Sequence, residues 1–271
     1  MRWNALVFST LMLAPVAAAA APAPDPAALV HQMKRALEPD RDSIRDVTIS
    51  IDAAGQTRRL EGRIARKHVP DGNREVVVMT GPADIRGTAL LVSEPGAATR
   101  APDLWMYAPV LRRVRKVVPL DAFAHFLDTD FTYADLGYVR LHNRYTSEGA
   151  TEEQGRKAWK LGEELPATER YYSHVVTYVD QANRLPLRRE FYDLAGALWK
   201  VEVFDSVEVI DGTPTVLHAT MKDVQAGTST DLRVSGVRYD VKLPDDLFTP
   251  DALGRAAEHP AWDAAPPATK R

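Results

Sequence analysis

Cysteine is absent from the 271 residues. Disulfides, thiol nucleophiles and thiolate metal sites are therefore excluded, as is a lipoprotein anchored through a cysteine after its export signal. Histidine is sparse. The seven stand at positions 31, 68, 125, 142, 174, 218 and 259, and no two are three or four residues apart, so no helical metal-binding pair can form. No Gly-x-Ser-x-Gly elbow, phosphate-binding loop or dinucleotide fingerprint occurs. Neither sign of charge is in large excess, with 34 Lys+Arg against 37 Asp+Glu. That balance favours neither nucleic acid nor an anionic membrane surface as partner. After the first twenty residues no apolar run approaches the ~20 residues of a membrane-spanning helix. No metal, cofactor or catalytic residue is expected. The adjacent acids Asp245-Asp246 and Glu163-Glu164 read as solvated turn charges.

Apolar side chains make up 45% of the chain, enough for one large core. Arg2, the apolar run Ala5 to Val16 and the small residues Ala17 to Ala21 have the order of an export signal over residues 1–20. Its removal takes away Arg2 and leaves 33 − 37 = −4. One domain is expected over 21–259, with a disordered Pro/Ala-rich tail over 260–271.

The periodicity that follows is mostly that of strands. Asp25 and Pro26 suit the start of a helix in which Leu29, Met33, Ala36 and Leu37 share one face, ended by Pro39. From Val47 the period becomes two, and turn residues recur about every ten positions. Strands are expected around Thr57–Lys67, Val76–Met79, Arg86–Val92, Val139–Thr146, Lys157–Glu163, Tyr171–Val179, Leu187–Tyr192, Leu198–Ile210, Thr215–Val224 and Ser229–Val241. Ser147-Glu148-Gly149 reads as a turn region. Pro244–Phe248 closes the sheet, and Asp251–Ala257 is a last short helix. A dozen antiparallel strands in meander order form a curled sheet or incomplete barrel, and its concave face needs filling. The first helix and the 119–137 segment are the available fillers.

The stretch from Pro102 to Tyr138 stands out. Trp105 and Tyr107 fall on one face of a strand and Leu104 and Met106 on the other, so both faces are buried. Arg112 to Lys116 is the one basic cluster, with Arg113 and Arg115 on the same face. It is either a solvated edge strand or a contact for an anionic head group or acidic partner. The segment that follows is aromatic yet broken by Pro119 and by Asp128 to Asp130. Phe123, Phe126 and Phe131 are either a displaceable lid over an apolar cavity or permanent core.

Several motifs together resemble the outer-membrane lipoprotein-sorting family, LolA-like periplasmic carriers. They are Arg86-Gly87-Thr88-Ala89-Leu90-Leu91-Val92, Asp103-Leu104-Trp105-Met106-Tyr107-Ala108-Pro109, Arg112-Arg113-Val114-Arg115 and Asp130-Phe131-Thr132-Tyr133-Ala134-Asp135-Leu136. Tyr192-Asp193 and Leu243-Pro244-Asp245-Asp246-Leu247-Phe248-Thr249 fit as well. The resemblance implies a mainly β fold, a single-domain unclosed antiparallel β-barrel with helices over its concave face. It also implies a hydrophobic cavity for lipid or the acyl chains of a lipidated protein, and work beside an inner-membrane exporter of the resistance-nodulation-division (RND) type. Trp105, Tyr107, Phe123, Phe126, Phe131 and Tyr133 are then the candidate cavity and lid residues, and Arg113 and Arg115 the head-group or partner contacts. Asp128 departs from the family pattern, which has glycine there, at a position where a positive φ is the natural reason. The competing readings are an exporter adaptor that binds no lipid, and a lipid-modifying enzyme. A monomer exported to the periplasm is expected. Mass analysis of the exported protein should find an N-terminus near Ala20 or Ala21, whereas an intact Met1 in a membrane fraction would contradict the export signal.

Overall fold

The computed structural model describes residues 24–96, 102–118, 121, 124–133, 135, 143–166 and 171–263. The export signal, Phe123, Pro119 and most of the tail lie outside them.

The helix forms where the sequence places it. α1 spans Pro26–Leu37, with the Asp25 side chain accepting from the Ala28 amide at 2.9 Å and Pro26 in the first turn. Leu29, Val30 and Met33 are buried on one side. The strands are β1 (Ser43–Ala53), β2 (Gln56–Val69), β3 (Gly72–Gly81), β4 (Ala89–Pro95), β5 (Asp103–Ala108), β6 (Arg113–Lys116) and β7 (Arg144–Glu153). They continue as β8 (Arg156–Glu164), β9 (His174–Asp180), β10 (Pro186–Tyr192), β11 (Leu198–Ile210), β12 (Thr213–Asp223) and β13 (Thr228–Tyr239). All 13 belong to one antiparallel sheet in the order β6-β5-β4-β3-β2-β1-β13-β12-β11-β10-β9-β8-β7. The meander is broken once, where β13 returns beside β1. Strands β6 and β7 end the order and do not pair, so the barrel is unclosed, as the sequence implies.

Register fixes which side chains share a face. Leu161, Thr177, Arg189, Glu202, Met221, Thr230 and Ile51 lie opposite one another from β8 to β1 and point to the concave side. α1 covers that side at β8 and β9, its Leu29, Val30 and Met33 packing on Trp159, Leu161 and Val179.

The other face of β2–β5 is also buried. Ala65, Val76, Val78, Ala89 and Leu91, with Trp105 and Tyr107, pack against Leu243, Leu247, Phe248, Leu253 and Trp262. Here the structure corrects three expectations. Pro244–Phe248 adds no strand: Asp245–Phe248 is a 3-10 turn. The last helix is 3-10 in type, over Pro250–Glu258, and lies on the convex face. The tail is ordered as far as Asp263, because Trp262 is 4% exposed and its indole N–H donates to the Ala256 carbonyl at 2.6 Å. A Pro/Ala-rich composition hid one aromatic anchor.

Ser147-Glu148-Gly149 is not a turn. It lies inside β7 at a bulge between Ser147 and Ala150, with Gly149 at φ 95°, and the chain reverses instead at Gln154-Gly155. An edge strand tolerates such an irregularity because one side of its ladder has no partner.

Because Trp262 and Leu253 bury the convex face, Trp262→Ala should cost about 3–5 kcal/mol and Leu253→Ala about 2–5 kcal/mol in urea unfolding. A change below about 1 kcal/mol in both would show that the C-terminal turns are dispensable.

Candidate functional site: a graded cavity on the concave face

Along each inward-facing row the residue type changes from polar to apolar. β1 presents Arg45, then Val47 and Ile49; β2 presents Arg66, then Ile64; β3 presents Asn73 and Glu75, then Val77; β4 presents Glu94, then Val92 and Leu90. The register sets Arg66 opposite Ser43 and Glu75, and Asn73 opposite Glu94, so the polar positions gather at one end. Between these rows and Phe204, Leu232 and Val234 lies a cavity of about 170 Å³. Leu37 and Glu38, at the end of α1, border its polar end, while Phe126, Thr129 and Phe131 wall it from the concave side.

The polar end is a buried charge cluster. Lys34 donates to Glu38 at 2.7 Å and to Glu94 at 2.9 Å. Arg66 pairs with Glu38, with Glu75 at 3.4 Å and with Glu94 at 3.6 Å. These ion pairs join two cations to three carboxylates. Burial opposes the charge on Glu38, but Arg66 and Lys34 overcome it and hold the carboxyl down at about 2. Glu94 takes the opposite course: burial, and then the Glu38 charge beside it, push it up to about 7.

The 124–133 segment is held by two aspartates of the Asp-Phe-Thr-Tyr motif. Asp130 Oδ2 accepts from the Thr230 hydroxyl at 2.7 Å, Oδ1 accepts from Thr228, and the Asp130 amide donates to Thr230 Oγ1 at 2.8 Å. Asp135 Oδ2 accepts from Lys200 Nζ at 2.5 Å and from the Thr132 amide at 2.7 Å, and Oδ1 accepts from the Tyr172 hydroxyl at 2.6 Å. Lys200 and Asp135 are both fully buried. Burial opposes the Asp135 charge, but Lys200 outweighs it and lowers the carboxyl below its ordinary value. A second set of charges continues from there, Arg189 lying 3.7 Å from Glu163 and 3.6 Å from Glu202. Glu202 is 0% exposed, neither of its oxygens has a hydrogen-bond partner among the described residues, and burial pushes it up to about 7.

The loop between the anchors turns sharply, with Leu127 at φ 51° and Asp128 at φ 63°. The left-handed conformation at 128 accounts for a glycine-favouring position. Asp tolerates it better than most residues, and here it also pairs with Arg58 at 3.1 Å.

The candidate residues divide accordingly. Phe126, Phe131 and Tyr133 are each 6% exposed; the first two wall the cavity, and Tyr133 backs Phe126 edge-on at 6.0 Å. Trp105 and Tyr107 do not join them. They share a strand face, as expected, but that face is the convex one, under the C-terminal turns; strand alternation gives the face without saying what covers it. Arg113 and Arg115 are exposed on the edge strand β6, and Arg115 pairs with Asp121 at 2.6 Å. They stand apart from the cavity's polar end. Phe123 lies outside the described residues. Glu163, read as loop charge, is instead buried in β8, where Asn143 donates to it at 2.5 Å. Sequence reasoning passed over Arg45, Arg66, Glu94, Lys200 and Glu202. Their signal was phase: Arg45 is in step with Val47, Ile49 and Ile51, so it faces inward.

Burial raises Glu94 and Glu202 from 4.5 to about 7, so the folded chain binds these protons more tightly than the unfolded chain. The stability this contributes is complete below about pH 4.5 and is lost as pH rises through 7. The urea midpoint should fall between pH 5 and 8, by on the order of 1–3 kcal/mol, and Glu94→Gln with Glu202→Gln should remove most of that fall. An unchanged slope in the double variant would place the protons elsewhere.

Residues 71–255 match the model of a family described as "Uncharacterized protein". No curated protein matches the chain in sequence. Among solved structures, a putative outer membrane lipoprotein-sorting protein domain from Vibrio parahaemolyticus superposes with a TM-score of 0.79 at 25% identity, over 84% of this chain and 98% of the other. A DUF1329 family protein from Desulfovibrio piger gives 0.79 at 28% identity, over 85% and 100%. A LolA superfamily protein from Nitrosomonas europaea gives 0.67 at 20% identity, over 84% and 99%, a likeness of fold. The family model spans most of this chain's length, so the chain belongs to that family, and its LolA-like fold is the one these three solved structures share.

Proposed function

We propose that this protein is a periplasmic carrier, not an enzyme, which takes up a lipid or the acyl part of a lipidated protein and passes it between membranes as a monomer. The observation that carries this reading is the gradient inside the cavity. Ionised groups at one end and aliphatic and aromatic walls at the other suit an amphiphile; His218, which also lines the cavity, is held between the Asp205 and Asp231 carboxylates and bonds no hydroxyl among the described residues.

Magnitudes limit how such a carrier works. A cavity of about 170 Å³ is close to the ~150 Å³ that an engineered protein cavity uses to hold benzene. An acyl chain of about fifteen methylenes would gain roughly 12 kcal/mol by full burial, but it does not fit unless Phe126 and Phe131 move. Asp130 and Asp135 are pinned to the sheet and the Phe126 amide donates to the Phe131 carbonyl at 2.8 Å, so the rings are the parts that swing. Each returns part of the gain, about 1.5–3 kcal/mol, when it is displaced into water. The bilayer offers the chain nearly the same burial, so small differences decide the direction of transfer.

The tip of the β5–β6 hairpin suits delivery. Val110 is 90% and Leu111 65% exposed, beside Arg112 and Arg113. We assign this tip to contact with a membrane-side partner, such as an exporter of the RND type.

Phe126→Ser with Phe131→Ser should leave the sheet folded, raise the binding of an apolar dye to the empty protein, and tighten acyl-chain binding because no ring has to leave. Loss of several kcal/mol of stability with unchanged chain binding per folded molecule would mean that the rings are permanent core and not a gate.

A further inference from the structure

Two arginines, Arg45 and Arg66, line the polar end of the cavity, with Lys34 behind it, and of these three cations only two are matched. Lys34 and Arg66 are shared among Glu38, Glu75 and Glu94. Arg45 makes no ion pair with any described residue. Its one hydrogen bond is from Nη2 to the Ser43 hydroxyl at 2.9 Å, and its Nε is buried without a partner. Yet it lines the cavity one step from the aliphatic wall, in line with Val47 and Ile49. A guanidinium placed at the border of an apolar cavity without a carboxylate is costly unless something else supplies the acceptor. Its planar fork of donors fits a carboxylate or a phosphate.

We propose that Arg45 binds the head of the cargo, and that the cargo is a single-chain amphiphile with one anionic head, a carboxylate or a phosphate monoester. This rests on the carrier reading above and narrows it. The head is anionic because the unmatched side chain is a cation, and the neighbouring carboxylates are already engaged by Lys34 and Arg66. The chain is single because a cavity of about 170 Å³, little more than holds one benzene ring, has no room for two acyl chains side by side. The basic pair Arg113 and Arg115, the more conspicuous cluster in the sequence, is exposed on the edge strand, and Arg115 is already paired with Asp121.

The test is calorimetric titration of the full mature chain with dodecanoate, dodecyl phosphate and dodecanol, each below its micelle concentration, with acetate and inorganic phosphate as chainless controls. The wild type should bind at least one of the two anionic amphiphiles about tenfold more tightly than the alcohol, a difference of about 1.4 kcal/mol, and the tighter of the two identifies the head. Arg45→Gln should abolish that preference while leaving the alcohol's affinity unchanged. Arg45→Lys should retain part of it, as a point charge without the fork. Arg45 is in no ion pair with a described residue, so its variants should melt no lower than the wild type, and the alcohol isotherm checks independently that the cavity is intact. Equal affinity for acid and alcohol in the wild type, or a preference that survives Arg45→Gln, would overturn the assignment. Acetate or inorganic phosphate bound as tightly as the amphiphiles would overturn it too, leaving a simple anion site. Binding of no chain at all would overturn the carrier reading itself.

Discussion

One buried ion pair, Lys200 with Asp135, decides what the concave face can be. Lys200 comes from the start of β11 and Asp135 from the segment that follows β6, 65 residues earlier in sequence. Each would be very costly to bury alone. Together, with the Tyr172 hydroxyl and the Thr132 amide completing the carboxylate, they fix the backbone of the aromatic segment to the sheet. Asp130 ties the same segment to β13 through Thr228 and Thr230. Without these contacts, Phe126 and Phe131 would have no fixed backbone from which to wall a cavity, and the curled sheet would present an open apolar surface to water.

That constraint explains why the sheet is covered so differently on its two sides. The convex face is closed by the C-terminal 3-10 turns through close apolar packing of Leu253 and Trp262, with Lys67 and Arg238 bonding the segment's carbonyls. The concave face is closed by α1 and by the anchored segment, and it holds the buried charges Lys34, Arg66, Glu94, Lys200 and Glu202. One side is packed as a protein interior usually is. The other keeps space and costly polar groups, as expected where a ligand, and not packing alone, determines the residues.

Much of the fold could be read from the sequence because it rests on local rules. Period-two alternation and Ala-Gly and Asp-Gly turns placed most strands, and the Asp25-Pro26 start placed α1. The failures were of another kind. Trp105 and Tyr107 alternate in a way that says they share a face, but the choice between concave and convex depends on where the C-terminal turns, some 140 residues later, come to rest. Ser147-Glu148-Gly149 has the composition of a turn and becomes a bulge because an edge strand allows it. The charged end of the cavity was missed because each of its residues, taken singly, looks like a solvated strand charge. Only the register, which brings Ser43, Arg66 and Glu75 side by side, shows that they converge.

The central claim is that an acyl chain lies between the sheet and the 126–131 segment with its head at Arg45. Intermolecular nuclear Overhauser effects from uniformly carbon-13-labelled dodecanoate bound to the protein test it most directly. The account predicts contacts from the terminal methyl to Phe131, Ile49 and Leu232, and from the carbons beside the carboxylate to residues 45 to 47. Contacts confined to Trp105 and Tyr107, or to the exposed tip at Val110 and Leu111, would contradict it.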